Sequence, residues 1–168
     1  MFTVRDTKNI SVNGMSKIIL KETETYFRPD DEKSTRHMPF IVPEGVKKLF
    51  ITYSYFPKIL ENEEKSSELI KENLIRDAGE DAAEYTDYSE FLPLKNLVTL
   101  YLRSPEGFRG AAHRQANEQK HEIGVDFASP GFLKGEITAG QWDLSLNVHA
   151  LVTDICTCNI KIEGEVSE

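Results

Sequence analysis

The chain of 168 residues carries 28 acidic against 20 basic side chains, a net charge of −8, and two cysteines. A chain this long forms one ordinary domain that buries roughly 70% of the surface its unfolded form exposes, and an acidic balance without a basic stripe argues against nucleic acid and anionic membranes, since counterion release is not available to it. No apolar run reaches membrane length and no basic-then-apolar leader opens the sequence, so the expected address is cytoplasmic.

The charge is local. Between Glu61 and Glu90 eleven acidic residues stand against three basic ones, which accounts for the whole excess. The framework on either side is balanced.

Residues 1–14 alternate weakly, and Asn13-Gly14 suits a hairpin turn, so a first hairpin into Lys17–Tyr26 is expected. The polar run 28–37 reads as a loop, followed by a short strand, Met38 to Val42, closed by Pro43. From Val46, Leu49, Ile51, Tyr53 and Tyr55 share one parity while Phe50 and Phe56 occupy the other, predicting a largely buried strand that Pro57 ends. Ser66 can cap a helix in which Leu69, Ile70, Leu74 and Ile75 recur at helical spacing before Gly79. The pattern predicts one short helix, around 66–78, within an acidic, partly helical insertion over 61–90; the rest of that segment reads as a solvated excursion, with a functional acidic patch as the alternative.

After Pro93, Val98, Leu100 and Leu102 form a strand face that ends at Ser104-Pro105-Glu106-Gly107, a sequence suited to a type I turn. The stretch 103–142 holds six of the ten glycines and two of the seven prolines, so the backbone turns sharply several times. Pro105, Gly107, Gly110, Pro130, Gly131, Gly135, Gly140 and Trp142 are its expected structural positions. Within it His121, Ile123, Val125 and Phe127 are expected to share one strand face. Trp142, Leu144, Leu146, Val148 and Ala150 then alternate with Gln141, Asp143, Ser145, Asn147 and His149, as in a sheet with one wet side. Cys156, Cys158, Ile160 and Ile162 form the apolar parity of a last strand, which places both thiols in the core; C-x-C spacing does not suit a disulfide between them, and half a metal site would need two more ligands. Short two-faced strands with at most one helix predict an all-β, mainly antiparallel fold over 1–168, a jelly-roll or Greek-key β-sandwich.

None of His37, His113, His121 and His149 lies in an H-x-H or H-E-x-x-H arrangement, and no G-x-S-x-G elbow occurs. Arg109, His113, Arg114 and His121 cluster in sequence. If the loop over 114–120 folds back they can converge on a carboxylate or phosphate; alternatively the arginines pin neighbouring loops through backbone carbonyls or carboxylates. Asp126 and Asp143 are too sparse for the six or more oxygens calcium needs. No catalytic residue, metal or cofactor is assigned, and the chain is not expected to be an enzyme.

The phrases MPFIVPEGVKKLFITYSYFP, NLVTLYLRSPEGFRGAAHR and ASPGFLKGEITAGQWDLSLNVH together resemble the β-sandwich domain that precedes the catalytic domain in PHP-type metallohydrolases of the CehA/McbA kind, over roughly residues 38–150. G-F-R-G and P-G-F-x-x-G-x-I-x-x-G-x-W carry the resemblance. It implies an accessory module, stand-alone or excised, whose partner is a metallohydrolase domain that holds the metal cluster elsewhere, and it carries over no catalytic residue. A strand, an x-P-x-G turn and a late G-x-W strand also give a weaker resemblance to jelly-roll modules of the bacterial pre-peptidase and carbohydrate-binding kind; the second reading is a small-molecule or sugar-binding module using Arg109, His113, Arg114 and an aromatic such as Trp142 or Tyr101. A metal-dependent hydrolase is the third alternative.

Overall fold

The computed structural model describes residues 14–167. Alternation dictates the strands: β8 (Cys156–Ser167) buries Cys156, Cys158, Ile160 and Ile162 and turns Thr157, Asn159 and Lys161 outward. The preceding β7 (Gly140–Ala150) does the same with Trp142, Leu144, Leu146 and Val148. Both thiols are free and buried, as their parity requires.

The remaining strands are β1 (Met15–Phe27), β2 (Thr35–Val42), β3 (Val46–Phe56), β4 (Leu97–Ser104), β5 (Gly107–Ala112) and β6 (Glu118–Gly124). They form two antiparallel sheets, β1-β8-β3-β6 and β2-β7-β4-β5. The pairs β4–β5, β3–β6, β2–β7 and β1–β8 nest one outside the next, so the chain is one long hairpin with its tip at Ser104–Gly107, rolled up. That connectivity is a jelly roll. One continuous core, with Trp142, Tyr53, Tyr55, Phe27, Leu100 and Leu146 at its centre, fills the space between the sheets.

Along the strands four expectations shift. The hairpin expected from residues 1–14 lies outside the described residues on its first arm, and β1 pairs with β8. The run 28–37 is a loop only in part, because β2 already starts at Thr35 opposite Asn147. Strand β3 is one-sided: Leu49, Ile51, Tyr53 and Tyr55 are buried, but Phe56 is exposed because its parity faces solvent. Finally, β6 stops at Gly124, whose N–H donates to the Phe127 carbonyl at 2.8 Å, so the chain turns and Val125 and Phe127 emerge into solvent.

The insertion between β3 and β4 holds two helices instead of one, α1 (Glu63–Ala78) and α2 (Glu80–Tyr85). Asn62 caps α1, its side chain accepting the Lys65 N–H at 2.9 Å, while Ser66 sits buried in the first turn and donates its hydroxyl to the Asn62 carbonyl. Gly79, at φ +90°, ends α1 as its position suggests. A short ladder, with Leu60 N–H donating to Leu94 and Asn96 N–H to Lys58, stitches the root of the insertion. Asn96 is wholly buried there, donating to the Pro57 carbonyl and the Thr153 hydroxyl and accepting from the Val152 N–H. Among the described residues no helix is long and apolar enough to cross a membrane.

Candidate functional site

The loop over 125–139 spans the gap between β5 and β6, the outermost strands of the two sheets. It bonds to both: Ala111 N–H donates to Gly131 and Leu133 N–H to Arg109 on one side, Ser129 N–H to Glu122 and Gly135 N–H to Gly124 on the other. Phe132 and Ile137 of this loop join the core. Leu102 pairs with Gly110 and Arg103 with Phe108, so Arg109 is the extra residue of a β-bulge and is re-aimed by it. Its guanidinium turns inward, 5.2 Å over the Trp142 ring, and donates to the carbonyls of Leu133, Gly135 and Glu136. Burial lowers its pKa from the ordinary guanidinium value, with the Glu106 charge opposing.

Glycine is required where this clamp is tightest. A Cβ on Gly110, which has φ +138°, would stand 2.5 Å from the Phe132 Cα, and one on Gly131 would run into the Ala111 carbonyl oxygen. The G-F-R-G and P-G-F phrases are therefore two halves of one interlock. Four large apolar side chains of β5 and the loop, Phe108, Val125, Phe127 and Leu133, are each 50–54% exposed.

The four residues clustered in sequence take different settings. Arg109 is buried and committed to carbonyls, and Arg114 is exposed and donates to the Pro130 carbonyl at 3.1 Å. His113 is exposed and exchanges a 2.7 Å hydrogen bond with the Tyr101 hydroxyl. His121 is buried against Phe132, with Nε2 bonded to Gln119 Oε1 at 2.9 Å and Nδ1 unpartnered. Burial pushes its pKa down to about 4, and the Arg114 charge adds to the effect. Two of the four thus belong to the interior and two to the surface. Trp142 is 1% exposed and bonds the Thr138 carbonyl, which removes it as a platform for a ligand, whereas Tyr101 stays half-buried.

A second polar assembly lies on the outer face of the β2-β7-β4-β5 sheet. There His37 Nδ1 meets Asp143 Oδ2 at 2.7 Å, His149 Nε2 meets Thr99 Oγ1 at 2.8 Å, and Thr35 donates to Asn147 at 2.6 Å. His113 lies between two members of this face, edge-on to Tyr101 with ring centroids 5.0 Å apart and 6.3 Å from His149. Only the β7 half of this face was legible as a polar parity; its partners come from strands up to about a hundred residues away. A cleft of about 790 Å³ also opens beside α1, lined by Leu69, Ile70, Leu94 and Leu151 with Lys33 and Arg76 among its polar residues.

Among the described residues no three His, Cys, Asp or Glu side chains are grouped to hold a metal ion. Asp143, weighed for calcium, is bound to His37 instead. No protein-family model matches the chain, and no curated protein matches it.

Proposed function

We propose that this chain is a non-catalytic jelly-roll module that docks onto a metallohydrolase domain of the PHP type through its glycine-rich edge. What carries the reading is the interlock of Arg109 with the 131–136 loop. The two phrases on which the family resemblance rests meet at one place, held by three guanidinium hydrogen bonds, two glycine contacts and the Trp142 stack. A rigid edge costs little conformational entropy when it is covered, and Phe108, Val125, Phe127 and Leu133 give it the apolar surface that a protein partner would bury. The metal and its hydrolytic chemistry would belong to the partner.

The test is titration calorimetry of this chain against the metal-loaded catalytic domain of a PHP-type metallohydrolase encoded beside it. Saturable binding that falls by about a hundredfold in Phe127→Asp/Leu133→Asp supports docking at this edge. No heat of binding at about 100 μM, or binding untouched by the double substitution, overturns it.

A further inference from the structure

We propose that the outer face of the β2-β7-β4-β5 sheet is a binding face for neutral oligosaccharides. The two outer faces of the sandwich differ in kind. On the β1-β8-β3-β6 face, Lys17, Lys48, Lys161, Glu122, Glu163 and Glu165 alternate across the strands, with Lys48–Glu122 and Lys161–Glu163 each closing at 2.9 Å. That is a solvated, ion-paired surface. On the β2-β7-β4-β5 face, in a chain that is 29% charged, the outward strand positions carry charge only at Asp143 and Arg103, and Asp143 is engaged by His37. A face with so little charge holds an ionic ligand weakly and imposes little charge desolvation on a neutral one.

The polar groups on this face are oriented and half-used. His37, His113 and His149 each spend one ring nitrogen on a neighbour: His37 Nδ1 on Asp143, His113 Nε2 on Tyr101 and His149 Nε2 on Thr99. Each partner fixes its ring, and the second nitrogen of each exposed imidazole has no partner among the described residues. His37 Nδ1 must donate to the Asp143 carboxylate, which leaves Nε2 of a neutral ring to accept, while the second nitrogens of His113 and His149 donate or accept according to tautomer; a sugar hydroxyl does both, so each match needs no charge. Tyr101 and Phe108, with ring centroids 6.3 Å apart, supply adjoining aromatic surface for the C–H face of a sugar ring. From Gln141 to His149 the face runs about 26 Å, which suits an extended chain better than a monosaccharide. The larger exposed apolar groups, Ile41 and Phe108, sit towards one end, leaving a polar centre unlike that of a protein interface.

This inference stands on residues separate from the docking edge, Phe108 apart, and does not need the metallohydrolase partner. The experiment is a titration of the ¹⁵N-labelled full chain with maltohexaose, cellohexaose, xylohexaose and chitohexaose, with an oligogalacturonate as the charged comparison. Saturating amide shifts confined to 35–41, 97–103, 107–113 and 141–149 with at least one neutral hexasaccharide are expected. His113→Ala and His149→Ala, both at exposed positions outside the core, should keep a dispersed spectrum and weaken binding about tenfold. Three results overturn the proposal: no saturating shift with any neutral sugar up to about 10 mM, shifts that map elsewhere or favour the oligogalacturonate, and shifts on this face that follow protein concentration without sugar, which would assign it to self-association.

Discussion

The guanidinium of Arg109 lies 5.2 Å over the indole of Trp142, and the same guanidinium holds the carbonyls of Leu133, Gly135 and Glu136. One side chain thus ties the tip hairpin, the closing loop and the central strand β7 together. Truncation to alanine leaves three carbonyls short of a donor and the indole uncovered, so Arg109→Ala should lower stability by about 3–4 kcal/mol in urea unfolding. Arg109→Lys keeps the charge but not the planar fork, and should recover less than half of the loss. Full recovery by lysine would mean that charge, not geometry, holds the loop.

Two glycines, Gly45 in the turn between β2 and β3 and Gly110 in the interlock, separate two physical costs. Gly45 has φ +89° with nothing within 4 Å of a built Cβ, so Gly45→Ala incurs backbone strain alone, about 1 kcal/mol. Gly110 has φ +138° and a Cβ position 2.5 Å from Phe132 Cα, so Gly110→Ala must also displace the closing loop and should cost about 3 kcal/mol or more. Equal losses in the two variants, measured by the same denaturant titration, would remove the close approach as the reason for glycine.

Strand parity was the most legible feature of the sequence, because alternation is local: β7 and β8 bury the residues their patterns indicate, both thiols included. Boundaries were less so. Parity continues through Val125 and Phe127, yet a backbone bond from Gly124 to Phe127 turns the chain first. Asn62 and Ser66 are both good caps, and only the start of the helix decides between them. Of the assembly of His37, Asp143, Tyr101 and His149 only the outward parity of Asp143 and His149 was legible; their partners depend on the register of strands that meet only through long-range pairing.

His121 should make stability depend on pH. Its pKa is about 4 in the folded protein because burial disfavours the imidazolium, against an ordinary value of 6.5. Above about 6.5 the ring is neutral in both states and stability is complete. As pH falls from about 6.5 towards 4 the unfolded chain takes a proton that the folded one refuses, so stability drops, by on the order of 3 kcal/mol once pH lies below both values. Carboxylates titrate in part of the same window, so the decisive quantity is the difference between wild type and His121→Leu in urea unfolding at pH 7, 5.5 and 4.5. The variant should lose less stability over that range; parallel curves would show that His121 does not titrate as its burial dictates.

Asn96 fastens the insertion to the sandwich. It is wholly buried, and its amide donates to Pro57 and Thr153 while its oxygen accepts from Val152, joining the start of the insertion to the β7–β8 connection. Its own carbonyl takes the Lys58 ammonium at 2.9 Å, and burial together with the Lys95 charge lowers the pKa of that ammonium from its ordinary value. Asn96→Ala strips partners from several buried groups at once and should cost about 2–4 kcal/mol. Asn96→Asp keeps the shape and the acceptor but replaces the amide donor with a charge facing the Pro57 carbonyl, so it should be no better than alanine. Hydrogen exchange locates the effect: amides of 58–60 and 94–96 should lose protection in both variants while those at the centre of β7 and β8 keep theirs. Uniform loss across the sheets would instead make Asn96 part of the global core, with the insertion inseparable from the roll.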